Sequence, residues 1–114
     1  MSEIRGVTRF RFNEGTVKEF PRLCAELVDI IRARDTGTLQ FEIYLSDDES
    51  ECVIYERYRD SEAVIDHGTH VGEIMPAIFA TGSGPSALLG EPSAELAAMT
   101  AGSPVTVFRP FMSM

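Results

Sequence analysis

The sequence predicts an α+β fold, a ferredoxin-like βαββαβ unit with an antiparallel sheet carrying helices on one face. Three observations predict it. Residues 4–12, 38–45 and 52–58 alternate apolar and polar side chains with a period of two. A single apolar stripe at helical spacing, running from Phe20 to Ile31, separates the first of these segments from the second. The remaining chain supplies a helical region and then a closing apolar strand, which completes the βαββαβ order.

The first strand, IRGVTRFRF, sets Ile4, Thr8, Phe10 and Phe12 on one face and Arg5, Val7, Arg9 and Arg11 on the other. Asn13-Glu14-Gly15 breaks it as a turn. Thr16 and Glu19 have capping-box spacing, with Pro21 tolerated in the first helical turn. Phe20, Leu23, Cys24, Leu27, Val28 and Ile31 then form the buried stripe, and Gly37 is the expected helix stop. In the next strand Leu39, Phe41, Ile43 and Leu45 share a face, opposite Gln40, Glu42 and Tyr44. The acidic turn Asp47–Glu51 leads into 52–58 (CVIYERY), as a hairpin tip held open to water.

Asp60 or Ser61 is placed to cap a short helix through Ala63, Val64 and His67, with Gly68 as its interruption. A further helical stretch carries Val71, Ile74, Met75, Ile78 and Phe79. Thr81-Gly82-Ser83-Gly84-Pro85 reads as a flexible loop, and Ser93 caps a helix that Gly102 ends. Residues 104–111 form the closing strand, so about 81–102 is an extended helical segment of one domain spanning 1–114. Gly82–Ala87 superficially fits a dinucleotide fingerprint, but no strand precedes it and Pro85 interrupts it.

Ten basic against eighteen acidic residues leave a net charge of −8, and Lys18 is the only lysine. Such a surface excludes nucleic acid and anionic lipid as expected partners, since both require phosphate neutralisation. No apolar run is long enough for a membrane span, and the N-terminus lacks a basic-then-apolar leader pattern, so a cytoplasmic protein is expected. Cys24 and Cys52 are too few for a disulfide framework and are expected as buried free thiols. His67 and His70 are the only histidines, and no metal-ligand spacing accompanies them, so no metal is expected. The sheet face away from the helices, read as carrying Phe10, Phe12, Tyr44, and Tyr55 or Tyr58 among arginines and glutamates, is too apolar to face water. A second copy of the chain is the expected cover, giving a homodimer.

The segment Thr38–Tyr44, the hairpin, the run Val53–Ala63 and His67 together resemble the antibiotic biosynthesis monooxygenase family. Members commonly show a tyrosine-glutamate-x-aromatic strand, a charged helix start and a histidine in the next helix. The likeness covers residues 4 to about 80, is strongest over 38–67, and points to an uncharacterised branch with an extended C-terminal part. It implies a dimeric α+β barrel. It also implies a small cofactor-independent monooxygenase acting on a phenolic or quinol-like compound. The alternative is a non-enzymatic dimer that binds a small hydrophobic ligand. Haem degradation does not fit, because the chain has no tryptophan and a single asparagine, Asn13.

Cofactor-free oxygenation needs a base to make an electron-rich phenolate, and a dry pocket that stabilises negative charge. His67 is the candidate catalytic base, because its reference pKa lies near working pH. Tyr44, Tyr55, Tyr58 and Glu56 are the candidate substrate-binding residues. Arg9 or Arg11, if turned inward, could steady an anion. Each has a plainer role. His67 could cap carbonyls beside Gly68, the tyrosines could pack at a dimer interface, and Glu56 could pair with an arginine on a neighbouring strand.

Overall fold

A computed structural model describes residues 2–114. Its elements in chain order are β1 (Ile4–Phe12), α1 (Phe20–Arg34), β2 (Thr38–Leu45), β3 (Glu51–Tyr58), α2 (Ser61–Val71), α3 (Met75–Phe79), β4 (Gly82–Ser83), β5 (Ser86–Leu89), α4 (Ala94–Thr100) and β6 (Val105–Phe108). The sheet order is β2-β3-β1-β5-β6, with the short β4 also on β1. Every pair is antiparallel except β5 with β6, which run parallel.

The ferredoxin-like unit is present, but its fourth strand is not the expected 104–111. That strand is β4 and β5 together, which continue along β1 in one register from Gly82 opposite Phe12 to Leu89 opposite Arg5. The Arg9 amide donates to the Pro85 carbonyl at 3.1 Å, which bridges the two pieces. The expected loop at 81–85 is therefore sheet backbone. Its glycines permit close approach: a Cβ on Gly84 would lie 1.8 Å from the Arg9 carbonyl oxygen. α4 and the parallel strand β6 are additions beyond that unit.

Other boundaries shift for local reasons. The Thr16 hydroxyl bonds the Asn13 and Thr81 carbonyls at 2.7 and 2.6 Å instead of capping, and α1 starts at Phe20 without a side-chain cap. α1 ends at Arg34, where Asp35 turns extended, two residues ahead of Gly37. Gly68 does not interrupt α2, whose start is capped by the Asp60 carboxylate accepting from the Ala63 amide at 2.9 Å. Ser93 caps α4 as expected, accepting from the Leu96 amide. The hairpin turn is tied by Asp48, which accepts from Ser46 and Ser50; the Ser50 and Ser46 bonds hold its carboxyl at about 2.

Strand pairing fixes which side chains share a face. Ile4 lies opposite Tyr58, Phe10 opposite Cys52, and Phe41 opposite Glu56, and these residues all face the helices. The core there joins Phe10, Phe20, Leu23, Leu27, Ile31, Cys52, Val71, Ile74 and Ile78, with Phe12 packed edge-on to Phe20 at 4.7 Å. Ile4, Tyr58 and Ala63 make a smaller buried cluster beside it. Phe10, Phe12 and Tyr58 thus belong to the helix-side core, correcting their expected place on the outer face: the even-numbered side of β1 is the buried one. Cys24 and Cys52 are free, and burial pushes both thiols up to about 11. The outer face carries Arg5, Val7, Arg9, Val53, Tyr55, Glu42 and Tyr44, with Tyr44 57 % exposed.

Candidate active site

Between the sheet and the helices lies a cavity of about 640 Å³, within the range of small-molecule sites. Its floor is the helix-facing side of the sheet, with Gly6, Thr8 and Phe10 from β1, Phe41 from β2, and Ile54, Glu56 and Tyr58 from β3. Helix α2 supplies Val64, His67, Gly68 and Val71, while β5, α4 and β6 close the far wall with Leu88, Leu96 and Val105. The exposed lining residues Thr69, Phe79 and Met99 mark where it opens to solvent. The lining is predominantly apolar, so the few polar groups in it stand out.

Two of those groups, Glu56 and Tyr58, meet His67, and Asp35 backs the imidazole from outside the cavity lining. The His67 Nδ1 is 2.7 Å from Asp35 Oδ2, and its Nε2 is 3.7 Å from Glu56 Oε1. The first distance is a hydrogen bond and the second is too long for one. Tyr58 packs edge-on against the imidazole with ring centroids 5.3 Å apart. The Asp35 side chain is only 3 % exposed and accepts twice more, from the Thr38 hydroxyl at 2.7 Å and from His70 Nδ1 at 2.7 Å.

The sequence explains how these groups are brought together. Asp35 leaves the helix as the extended residue that closes α1, its amide still donating to the Ile31 carbonyl. Gly37 then lets the α1–β2 connection lie on α2, since a Cβ there would come within 2.4 Å of the Ala63 Cβ. His67 and His70 are three residues apart on α2 and so share one face. Gly6 clears the space for Glu56: a Cβ at Gly6 would lie 2.6 Å from Glu56 Oε2.

Electrostatics separates the two carboxyls. Burial opposes ionisation of Asp35, but the bonds from Thr38, His70 and His67 outweigh it and hold its pKa below the ordinary value. Burial dominates at Glu56 and raises its pKa, against the smaller pull of His67 and of a hydrogen bond with Tyr58. Burial and the adjacent Glu56 carboxyl push the Tyr58 hydroxyl far above the usual phenol value, so it remains protonated. The arrangement is a fixed anion behind an imidazole, with a reluctant acid and a phenol in front. It can accept a proton at one atom and offer hydrogen bonds at two others.

Of the residues expected in a site, His67, Glu56 and Tyr58 converge on the cavity. Tyr44 and Tyr55 do not: they lie on the opposite face of the sheet, where Tyr44 donates to Glu42 at 2.7 Å. Arg9 and Arg11 also point outward, both toward Glu51. Among the described residues His67 caps no carbonyl and Glu56 meets no arginine; both line the cavity instead. His70, also on α2, is bound to Asp35. Asp35 was not anticipated. It is 32 residues from His67 in sequence, and its one local signal was the Asp-Thr-Gly-Thr run just after a helix.

The antibiotic biosynthesis monooxygenase family model matches residues 4–71, more than half of the chain. No curated protein sequence matches significantly. Among solved structures, MupZ from Pseudomonas fluorescens superposes with a TM-score of 0.83 at 16 % identity, covering 100 % of this chain and 94 % of that one. SnoaB, a cofactor-independent oxygenase from Streptomyces nogalater, gives 0.69 at 18 % identity over 82 % and 97 % of the two chains. Rv0793 from Mycobacterium tuberculosis gives 0.65 at 24 % identity over 76 % and 90 %. At such identities the likeness is one of fold. The matched segment runs from β1 through α2 and so includes Asp35, Glu56, Tyr58 and His67; the chain belongs to the antibiotic biosynthesis monooxygenase family.

Proposed function

We propose that the protein is a cofactor-independent monooxygenase that oxidises a phenolic or quinol-like compound in the cavity between sheet and helices. The observation that carries this reading is the Asp35–His67 pair, buried and bonded, opening into a predominantly apolar cavity large enough for an aromatic substrate. His67 Nε2 takes the phenolic proton, and Asp35 stabilises the imidazolium that results. Tyr58 hydrogen-bonds the phenolate oxygen, and burial favours the protonated form of Glu56 that can do the same. The apolar walls exclude water and favour transfer of an electron from the phenolate to dioxygen. Recombination gives a hydroperoxide on the ring. Loss of water from it leaves one oxygen atom in a quinone: phenol plus dioxygen yields quinone plus water, with atoms and electrons balanced. SnoaB, one of the structural neighbours, is named as a cofactor-independent oxygenase, which supports an oxygenase reading.

We further propose a homodimer in which Tyr44 and Tyr55 lie in the seam between two sheets, where they act through packing and not on substrate. The uncovered outer face, with exposed Val53 beside Tyr44 and exposed Phe108 at the opposite edge of the sheet, supports it.

Turnover of a phenol panel under ¹⁸O-labelled dioxygen tests the activity. Monooxygenation places one labelled atom in the quinone and the other in water. Label in water or peroxide alone would make the protein an oxidase, and retention of the phenol without turnover would leave the ligand-binding alternative.

A further inference from the structure

Asp35 makes more contacts than a simple orienting carboxylate needs. Its Oδ2 accepts from His67 Nδ1 and Thr38 Oγ1, and its Oδ1 accepts from His70 Nδ1, each at 2.7 Å. The side chain is almost completely buried, and its carboxyl is held in the ionised form. An ionised carboxylate has lone pairs and no hydrogen to give, so all three partners must donate. Both neutral imidazoles are therefore restricted to the tautomer with hydrogen on Nδ1. The lone pair of His67 is left on Nε2, the atom that looks toward Glu56 and the cavity. The groups facing His67 are Asp35 from the end of α1, and Glu56 and Tyr58 from β3; His70 lies on its own helix.

We propose that Asp35 is the positioning residue of this site, fixing His67 as a cavity-facing proton acceptor, and that His70 and Thr38 brace it. Without the brace, a carboxylate at a helix end could rotate about its side-chain bonds. With three donors converging on it, the carboxylate has one orientation, and His67 inherits it. This inference rests on the proposed role of His67 as base, yet it makes a statement about the protein with no substrate present.

The test is ¹⁵N-detected histidine NMR on the unliganded protein, with oxygen uptake measured alongside. In the wild type, both neutral rings should carry hydrogen on Nδ1. Asp35→Asn replaces one oxygen by an amide donor, so at least one of the two rings must abandon that tautomer. Asp35→Ala removes both acceptors, and His67 should then distribute between tautomers. Where a phenol is turned over, kcat in Asp35→Ala should fall roughly 10- to 100-fold with KM within about twofold. If Asp35→Ala fails to fold, the Asp35→Asn spectrum alone decides. A wild-type His67 with hydrogen on Nε2, or tautomers unchanged in the Asp35 variants, overturns the inference. A wild-type Nδ1–H tautomer with no turnover of any phenol upholds the role of Asp35 and removes the monooxygenase reading instead.

Discussion

Glu56 and Asp35 are carboxyls on either side of one imidazole, and burial affects them differently because Asp35 is supplied with three donors while Glu56 has only the weaker bond with Tyr58. That difference has a measurable consequence for stability. The folded-state pKa of Glu56 is raised, so its contribution to stability is fully present below the ordinary carboxylate value and is lost as pH rises through the folded value. Glu56→Gln is neutral at every pH and escapes that loss. The melting temperature of the variant relative to wild type should therefore increase between pH 4 and pH 8. A difference that stays flat or shrinks with pH would show that Glu56 ionises freely. At this scale the sequence was partly legible. His67 stood out by residue type, and Glu56 and Tyr58 by their place in a strand. Asp35 was hidden because its role depends on the α1–β2 connection lying against α2, a tertiary contact between residues far apart in the chain.

The strands and helices differ in how far local pattern determines them. β1, α1, β2 and β3 each carry a full period-two or helical stripe, and their existence could be read directly. The strand formed by β4 and β5 carries none. Its residues alternate weakly, and two glycines and a proline look like a loop, yet those glycines are there because the backbone runs hard against β1. Propensity was overruled by a packing requirement. Gly84→Ala consequently has no room, and it should lower unfolding free energy by about 2–4 kcal/mol in a urea titration. A change below about 0.5 kcal/mol would mean that residues 82–85 do not hold to β1 as described. Because β5 and α4 form the far wall of the cavity, the same substitution should also weaken ligand binding there.

For the whole molecule, the sheet has one face committed to the core and the other uncovered. The outer face mixes paired arginines with exposed Val53, Tyr44 and Phe108. A dimer through this face would leave the cavity of each protomer intact on the far side of its sheet. Light scattering should then give a mass of twice the 12.6 kDa chain, and Tyr55→Glu should reduce it toward one. A wild-type monomer at micromolar concentration would contradict the covered-sheet argument. The two-faced sheet was foreseeable from alternation alone, but the faces could be assigned to residues only once the register of β1 with β3 placed Tyr58 inward and Tyr55 outward. Among the described residues no helix is long and apolar enough to cross a membrane.

The same opposition of faces supplies the most direct test of the central claim, that the chemistry belongs to the helix-side cavity and to His67. Oxygen uptake with an electron-rich hydroquinone should be measured for wild type, His67→Ala and Tyr55→Phe. His67→Ala should lose at least about 100-fold in kcat while remaining folded, and Tyr55→Phe should keep wild-type turnover. Undiminished uptake in His67→Ala, or loss in Tyr55→Phe alone, would contradict that claim.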